Sequence, residues 1–310
     1  MERLKGIMMV IIGASFWGLS GAVAQMLFEE TTITAGWLVT IRLLVSGALL
    51  LLFTLCTSNR GEVFGVWKKP KFFVHILLFG IFGMVGIQYC YFVSIETGNA
   101  AVATLLQYLA PVFIAIYATV KFRELPDTNK VISIAIAVLG TFLLLTDGSI
   151  DNLTVSPVSM FWGVLSGVAL AFYSLYSKEL RQHYSASVLV GWGMIVGGIG
   201  MCFVHSPFDV QGVAWTLPTL SKVFFVVIFG TLLAFYLYML SMKYLTAQEA
   251  SLLGCTEPLV AILASIVLIN IPFGYYQMLG ALCVIVMVVM MGRKPASQKV
   301  QGSMRSKEAV

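Results

Sequence analysis

The sequence predicts an all-α integral membrane protein with ten transmembrane helices, arranged as two inverted repeats of five helices with both termini in the cytoplasm. Three observations lead to this fold class. Apolar segments of membrane-spanning length follow one another along nearly the whole chain, Lys and Arg gather in alternate connections, and one half of the sequence matches the other at a constant offset. Together they predict the number of helices, their orientation and their symmetry.

The composition is typical of a membrane protein. Hydrophobic residues make up 59% of the 310 residues, charged residues make up 11%, and the mean hydropathy is +0.93. Soluble domains average about 25% charged residues, so we expect no soluble domain, and we do not read the net charge of +5 as a sign of a nucleic-acid partner. The five cysteines and three histidines are scattered and form no C-x-x-C pair. We therefore expect no disulfide, metal site or cofactor.

Ten apolar segments are long enough, or nearly so, to cross a bilayer as helices, which takes about 20 residues. They fall at about 7–27, 35–55, 72–93, 100–120, 131–146, 160–177, 187–204, 223–242, 249–269 and 275–292. Arg3, Lys5 and the first apolar segment imitate a cleavable signal peptide. Removing that segment would leave the first repeat without its first helix, so we expect it to be retained.

The positive charges indicate the orientation. Of the 19 Lys and Arg residues, 17 fall on the side that holds both termini, only Lys222 falls on the opposite side, and Arg42 lies within a span. Short positively charged connections stay in the cytoplasm. The sequence therefore predicts a multi-pass protein of the cell membrane with both termini cytoplasmic.

An offset of 147 residues relates the two halves. It pairs Tyr89 with Tyr236 and Pro111 with Pro258, and it holds from the third and fourth predicted helices to the eighth and ninth. Because each repeat has an odd number of helices, the two repeats must cross the membrane in opposite directions. Inverted repeats with interrupted helices are typical of alternating-access transporters, with the site between the repeats near the midplane.

The predicted organisation follows from this offset. Residues 1–146 form the first repeat, residues 147–159 an outer linker, and residues 160–294 the second repeat. Residues 295–310 are polar and without periodicity, which predicts a disordered cytoplasmic tail.

Two prolines and one carboxylate stand out within the apolar segments. Pro111 and Pro258 should each break or kink their helix and are the candidate hinges, although each kink is equally well read as static. Glu257 is the only carboxylate near the middle of any span. It either contacts a substrate amine, carries a coupling proton, or binds backbone groups that Pro258 leaves free. Gln107, one turn before Pro111, is expected to face the interior, and for Arg42 we favour a structural role or pairing with an acid.

Several motifs resemble the EamA-type transporters of the drug/metabolite transporter superfamily, over about residues 7–293. The motifs are Gly13-Ala14-Ser15-Phe16-Trp17-Gly18, Arg42-Leu43-Leu44, Gly98-Asn99-Ala100-Ala101 leading to Ala110-Pro111, Phe122-Arg123-Glu124-Leu125-Pro126, and Leu253 to Glu257-Pro258. The resemblance implies ten helices in two repeats, a central cavity lined by helices 1, 3, 4, 6, 8 and 9, and export of metabolites or amino acids. One departure is that Glu124 has no acidic counterpart, because Asn270-Ile271-Pro272 stands there.

Aromatic residues on the helices that the resemblance assigns to the cavity are further candidates for substrate contact. They are Trp17, Tyr89, Tyr108, Tyr173, Tyr176, Phe235 and Tyr236. Each one alone is also explained by helix packing or by the aromatic belt at the membrane surface. Tyr89 and Tyr236 are favoured because the repeat places them at equivalent positions.

The predicted function is a secondary transporter that exports a small amphipathic metabolite, amino acid or related organic compound. Proton coupling and a homodimeric assembly are left open, and so is the coupling ion. A lipid flippase of the same fold is the nearest alternative; a membrane-embedded enzyme or a non-transporting receptor is less favoured. No paired carboxylates or nucleophile motif suggest catalysis.

Overall fold

A computed structural model describes residues 2–57, 60–68, 70–123, 128–149, 153–181, 184–245 and 247–292. All regular secondary structure in these parts of the chain is helical. The carboxylate of Glu124 and the predicted tail at 295–310 lie outside the described residues.

The described residues of the first half contain eight α-helices and two helical segments of other types. The α-helices are α1 (Glu2–Glu30), α2 (Ala35–Thr57), α3 (Arg60–Gly65), α4 (Pro70–Leu78), α5 (Gly86–Glu96), α6 (Ala100–Gln107), α7 (Ala110–Phe122) and α8 (Thr128–Thr146). A 3₁₀ turn at Val66–Lys68 follows α3, and a π-helical segment at Phe79–Val85 joins α4 to α5. The short helix α3 and its 3₁₀ turn were not predicted from the sequence.

The second half contains seven α-helices and one π-helical segment in the described residues. The α-helices are α9 (Pro157–Leu180), α10 (Ala186–Cys202), α11 (Leu217–Phe224), α12 (Ala234–Ser241), α13 (Ala247–Gly254), α14 (Thr256–Ile269) and α15 (Tyr275–Gly292). The π-helical segment Phe225–Leu233 joins α11 to α12.

In the described residues, six helical stretches are long and apolar enough to cross a membrane. They are Glu2–Glu30, Ala35–Cys56, Phe72–Glu96, Ala100–Lys121, Pro157–Ser177 and Leu217–Ser241. Four shorter apolar helices accompany them, at Val131–Thr146, Ala186–Cys202, Thr256–Ile269 and Tyr275–Met290. Each stretch overlaps one of the predicted apolar segments, so the hydropathy of the sequence located the helices correctly.

The offset of 147 residues also relates details of the backbone. The bounds of α6 shifted by this offset are the bounds of α13, and the two π-helical segments occupy nearly equivalent positions. Helices α7 and α14 end at equivalent residues, Arg123 and Asn270, both of which adopt left-handed backbone with φ of 54° and 57°. These shared irregularities indicate that the two halves have similar local folds.

Helix packing pairs equivalent elements of the two halves. Helix α2 packs against α10, α8 packs against α15, α1 lies against α12 and α14, and α9 lies against α5, α6 and α7. Small residues allow the closest approaches. A Cβ added to Gly280 would lie 2.5 Å from the carbonyl oxygen of Gly140, and one added to Gly197 would lie 2.8 Å from that of Gly80. The glycines of these segments therefore serve helix packing.

The outer surface is apolar over most of its helices. Large hydrophobic side chains such as Val120, Val138, Phe161 and Val267 are more than 60% exposed. Soluble monomers rarely expose continuous apolar surface of this kind. Such a surface suits contact with lipid tails.

Candidate functional site at two helix breaks

The candidate site is built from two broken helices. Helix α6 ends at Gln107 and α7 begins at Ala110, while α13 ends at Gly254 and α14 begins at Thr256. Pro111 and Pro258 lie in the first turn of the helix that follows each break. A proline has no N–H and cannot continue the hydrogen-bond ladder of the preceding helix. The sequence therefore breaks both helices at equivalent positions.

The hydroxyl of Tyr108 joins the two breaks. It donates to the carbonyl oxygen of Gly254 at 2.8 Å and to Oε2 of Glu257 at 3.0 Å. In an unbroken helix the Gly254 carbonyl would accept a hydrogen bond from the N–H of residue 258, which here is a proline. Tyr108 thus supplies the donor that Pro258 lacks, from the other half of the chain.

Glu257 lies in the first turn of α14, where the positive end of the helix dipole stabilises a carboxylate. It is partly exposed within the helical bundle. On one side α1 packs closely against it, since a Cβ added to Gly18 would lie 2.5 Å from the Glu257 carbonyl oxygen. The absence of a side chain at Gly18 therefore lets α1 pack closely against the start of α14.

Arg42 is a second charged group in the interior and is only 4% exposed. Its Nε donates to Oγ1 of Thr231 at 3.0 Å, its Nη2 donates to the carbonyl oxygen of Gly230 at 3.5 Å, and its guanidinium carbon lies 4.3 Å from the centre of the Phe92 ring. Its Nη1 has no hydrogen-bond partner among the described residues. These contacts connect α2 to the second half of the chain, and they leave the Nη1 donor of Arg42 without an acceptor among the described residues.

The groups that Arg42 binds belong to the π-helical segment at Phe225–Leu233. A π-helical turn displaces carbonyl groups from the regular ladder. Ser46, one turn after Arg42 on α2, donates to the carbonyl oxygen of Val227 at 2.9 Å, and Thr231 donates to that of Val226 at 2.8 Å. Side chains of α2 and Thr231 therefore satisfy the groups that the irregular segment leaves free.

Arg42 and Glu257 carry opposite charges in the interior of the bundle, one on α2 and the other in the first turn of α14. Both residues are described, and no direct ion pair joins them. The hydroxyl of Tyr91 is hydrogen-bonded to Oγ1 of Thr104 at 2.8 Å. The site thus contains separated opposite charges near the middle of the bundle.

Comparison with known proteins assigns the family. The sequence profile of the EamA-like transporter family matches residues 4–146 and again residues 158–293. The chain belongs to the EamA-like transporter family. It is a multi-pass membrane transporter rather than an enzyme, with a small molecule as its substrate.

Relatives of this EamA-like transporter carry transporter names. It is 32% identical over 290 residues to the uncharacterized inner membrane transporter YicL of Salmonella typhimurium (strain LT2), covering 92% of this chain and 94% of YicL. It is 24% identical over 293 residues to the uncharacterized transporter YwfM of Bacillus subtilis (strain 168), covering 94% of each. A solved crystal structure matches with a TM-score of 0.62 and 17% identity over 93% of this chain and 95% of that chain, a likeness in fold.

The structure brings together part of the predicted site of the EamA-like transporter. The ring centroid of Trp17 lies 5.0 Å from that of Phe235 and 5.3 Å from that of Tyr238. Trp17 precedes Gly18, which approaches the backbone of Glu257, so Trp17 lies on the part of α1 that packs against the second break. Tyr173 stacks on Phe79 with 5.2 Å between the centroids.

Other predicted residues lie differently. Tyr89 contacts Trp162 and His205, with 3.3 Å between its hydroxyl and Nε2 of His205, near the end of α10. The ring of Tyr236 packs at 4.9 Å against Phe53, which is itself exposed on α2. The contacts of these two tyrosines therefore do not join them to Glu257, although the repeat makes them equivalent.

Gln107 is buried at the end of α6, next to Tyr108, and its Nε2 has no hydrogen-bond partner. The backbone carbonyl of Gln107 faces α9, because a Cβ added to Gly167 would lie 3.3 Å from it. The Gln107 side chain is therefore buried in the interior, and its Nε2 makes no hydrogen bond with another described residue.

Two cavities of the described chain lie apart from Glu257 and Arg42. One, of about 480 Å³, lies between the end of α1 and the start of α11 and includes Glu29 and Thr216. The other, of about 540 Å³, is an apolar groove between α7 and α8 that includes Leu109 and Met160. We locate the candidate site from its charged and unpaired polar groups, because neither cavity contains Glu257 or Arg42.

The sequence predicted no specific partner for Tyr108, and it did not single out Thr231 or Phe92 as residues of the site. Tyr108 precedes Pro111 in the repeat, which was a signal of its location at the break. The identity of its partners had no such signal, because Gly254 and Glu257 are 146 and 149 residues away.

Proposed function

We propose that the chain is an alternating-access secondary transporter that exports a small amphipathic metabolite, amino acid or related organic compound across the cell membrane. The observation that carries this proposal is the pair of hydrogen bonds from Tyr108 to Gly254 and Glu257. They connect two interrupted helices from opposite halves of the chain. Transporters place substrate and coupling sites at such interrupted helices.

The proposed architecture has ten transmembrane helices in two inverted repeats, at residues 1–146 and 160–294, with a linker at 147–159 and both termini in the cytoplasm. The equivalent bounds of α6 and α13 support the repeat, as do the left-handed residues Arg123 and Asn270. The distribution of Lys and Arg supports the orientation. The relative named an inner membrane transporter supports a place in the cell membrane.

Alternation is proposed to move one repeat against the other, with Pro111 and Pro258 as hinges. The backbone around each proline has fewer internal hydrogen bonds to break when the angle between its half-helices changes. The Tyr108 hydroxyl spans the two repeats at these breaks. We therefore expect its bonds to Gly254 and Glu257 to differ between the two access states.

Glu257 is the proposed proton or amine site. One hydroxyl proton of Tyr108 cannot fully serve both the Gly254 carbonyl and the Glu257 carboxylate. When Glu257 binds a proton, it can donate to the Tyr108 oxygen, and Tyr108 then donates fully to Gly254. The hydrogen bonds at the break therefore depend on the charge of Glu257, which links protonation or amine binding to the backbone.

The proposed substrate is small and largely apolar. Trp17 packs against Tyr238 and precedes Gly18, which approaches the backbone of Glu257, and pockets for small molecules combine such aromatic walls with a few polar groups. A polyanion would need several basic groups. Arg42 is the one basic residue within the predicted apolar segments.

The test is uptake of a panel of labelled amino acids by inside-out vesicles, with and without a pH gradient. Wild type is compared with Glu257→Gln and with Glu29→Gln, which changes an exposed carboxylate at the end of α1. We expect wild type and Glu29→Gln to respond to the gradient and Glu257→Gln to lose that response or its transport. If Glu257→Gln transports like wild type, Glu257 only stabilises the break at Pro258.

Lipid flipping is the second candidate, and the groove between α7 and α8 favours it. That groove is lined almost wholly by apolar residues and lies beside Leu109, next to the first break. It suits an acyl chain, but it offers a lipid headgroup few polar contacts. Reconstitution with a fluorescent phospholipid and dithionite quenching would identify flipping, and uptake of no compound in the panel would favour it.

A further inference from the structure

The connection between α2 and α4 is a folded element at the end of two membrane-spanning stretches. The stretch Ala35–Cys56 ends just before it, and the stretch Phe72–Glu96 begins just after it. It contains α3 (Arg60–Gly65) and the 3₁₀ turn (Val66–Lys68), which together we call the α3 platform. A short segment between two spans lies where lipid headgroups meet water.

Two hydrogen bonds and a ring contact fix the α3 platform against the second half of the chain. The carboxylate of Glu62 accepts the backbone N–H of Ser185, and the carbonyl oxygen of Val63 accepts the indole N–H of Trp192 at 2.7 Å. The ring centroid of Trp67 lies 4.7 Å from that of Trp192. The platform therefore has a fixed inner face, and this face binds the carboxylate of Glu62.

The opposite face of the α3 platform is open and amphipathic. Val63 and Val66 are buried, whereas Phe64 is 55% exposed and Lys68 is also exposed. A Cβ added to Gly65 would meet no atom of the described residues within 4 Å. An exposed phenylalanine four residues before an exposed lysine is typical of interfacial segments, which insert the ring among acyl chains and keep the ammonium at the headgroups.

The charge of this connection is positive, and the repeat does not share it. Residues 57–71 contain four basic residues and one acidic residue, a net charge of +3. These residues are Arg60, Lys68, Lys69, Lys71 and Glu62. At the offset of 147 residues the corresponding sequence, 204–218, contains Asp209 and neither Lys nor Arg. The shared fold therefore does not require these positive charges.

We propose that the α3 platform binds the headgroup of an anionic phospholipid of the cytoplasmic leaflet. Lys68 and the basic residues next to it in the sequence attract the phosphate, and Phe64 packs among the first carbons of the acyl chains. Because the inner face of the platform contacts α10, the bound lipid connects the membrane surface with both halves of the chain. This surface is separate from the two helix breaks and does not depend on the compound that is transported.

Charge complementarity selects an anionic lipid over a neutral one. The cytoplasmic leaflet carries a negative surface potential, and each Lys or Arg near such a surface strengthens binding by about fivefold. An ammonium group also donates charge-assisted hydrogen bonds to phosphate oxygens. The positive-inside rule alone explains why the lysines stay in the cytoplasm. It requires neither a platform fixed on α10 nor an exposed phenylalanine.

The first experiment measures which lipid lies beside the platform. A fluorescent amino acid replaces Gly65, where an added side chain has room, and the purified protein is placed in nanodiscs. These contain phosphatidylglycerol or phosphatidylcholine labelled with a nitroxide near the start of the acyl chain. Gly200 on α10 is the matched control position, because the nearest atom to an added Cβ there lies 3.9 Å away.

We expect phosphatidylglycerol to be enriched over phosphatidylcholine by about tenfold to a hundredfold at Gly65, as several basic groups together would give. The two lipids should quench equally at Gly200. Both leaflets of a nanodisc contain both lipids, so the result depends neither on the proposed orientation nor on transport. Equal quenching by the two lipids at Gly65 would overturn the proposal.

Charge variants assign the preference to the platform. Lys68→Gln should lower the enrichment at Gly65 by about fivefold, and the combined change K68Q/K69Q/K71Q should abolish it. Lys243→Gln removes an exposed positive charge from another connection predicted on the same side of the membrane, so it should leave the enrichment unchanged. Equal losses in Lys68→Gln and Lys243→Gln would overturn the proposal, because the charge of the whole side would then attract the lipid.

A last pair of variants tests the phenylalanine. Phe64→Ser should reduce quenching at Gly65 by both lipids and keep most of their ratio, because both have acyl chains. Phe208→Ser changes an exposed phenylalanine of the corresponding connection in the second half and should alter neither value. The changed residues make none of the hydrogen bonds to Ser185 and Trp192, so the platform should keep its fold. Unchanged quenching in Phe64→Ser would overturn the proposed role of the ring.

Discussion

Replacing Tyr108 by Phe tests whether the two broken helices depend on each other. The substitution removes a hydroxyl that donates to the Gly254 carbonyl at 2.8 Å and to Glu257 at 3.0 Å and leaves the ring in place. A net hydrogen bond contributes about 0.5–1.5 kcal/mol, and one to a charged group about 1.5–3 kcal/mol. Since one proton serves both acceptors, the two values do not add. We expect a loss of about 1–3 kcal/mol in the free energy of unfolding.

The assay is thermal unfolding of the purified protein in detergent, followed by tryptophan fluorescence. With an unfolding entropy of about 2.1 cal/mol/K per residue, a loss of 1 kcal/mol lowers the Tm of a chain of 310 residues by about 1.5 °C, so we expect a decrease of about 1.5–5 °C. Tyr91→Phe is the matched control, because its buried hydroxyl bonds only to Thr104. Thr104 keeps a bond to the Ala100 carbonyl, so the control should lose less.

A double-mutant cycle with Glu257→Gln measures the interaction between Tyr108 and Glu257 directly. If Tyr108 and Glu257 act as one unit, the double variant should depart from additivity by about 1 kcal/mol, as residues in direct contact do. The reasoning is refuted if Tyr108→Phe unfolds at no lower temperature than Tyr91→Phe. It is refuted as well if the two substitutions add without coupling and transport is unchanged.

Two further predictions concern the backbone, both measured by thermal unfolding. Gly18→Ala would place a Cβ 2.5 Å from the Glu257 carbonyl, so we expect a loss of about 1–3 kcal/mol from overpacking, whereas Gly65→Ala, with no atom within 4 Å, should change little. Arg123→Gly should stabilise the protein by about 1 kcal/mol, because a left-handed backbone costs a non-glycine residue about 1–2 kcal/mol. Asn270→Gly should gain less, since asparagine tolerates that conformation; an equal or larger gain at Asn270 would contradict this account.

Much of the fold was predictable because its signals are local. Membrane-spanning helices follow from runs of apolar residues, and the breaks follow from Pro111 and Pro258, whose missing N–H acts within one turn. The offset of 147 residues predicted that both breaks would be equivalent. The sequence did not predict the π-helical segments, because no single residue in Phe79–Val85 or Phe225–Leu233 requires them.

The candidate site was predicted only in part. The sequence singled out Glu257 because a carboxylate within an apolar segment is costly, and it singled out Gln107 and Trp17 as interior candidates. The repeat places Tyr89 and Tyr236 at equivalent positions. In the structure, however, Tyr89 contacts His205 and Tyr236 contacts Phe53. Equivalent positions in a repeat share a backbone, but their neighbours come from different helices and need not be alike.

The sequence alone determined that this is a helical membrane protein with two similar halves, because hydropathy, proline and repetition are properties of the chain itself. Only the tertiary structure decided which groups meet. Tyr108 reaches Gly254 across 146 residues, and Arg42 reaches Thr231 across 189 residues. Such contacts depend on how close the helices pack and how their faces are turned, which no local pattern specifies. That packing places Arg42 against Thr231 and Phe92, and no direct ion pair joins it to Glu257 in the described residues.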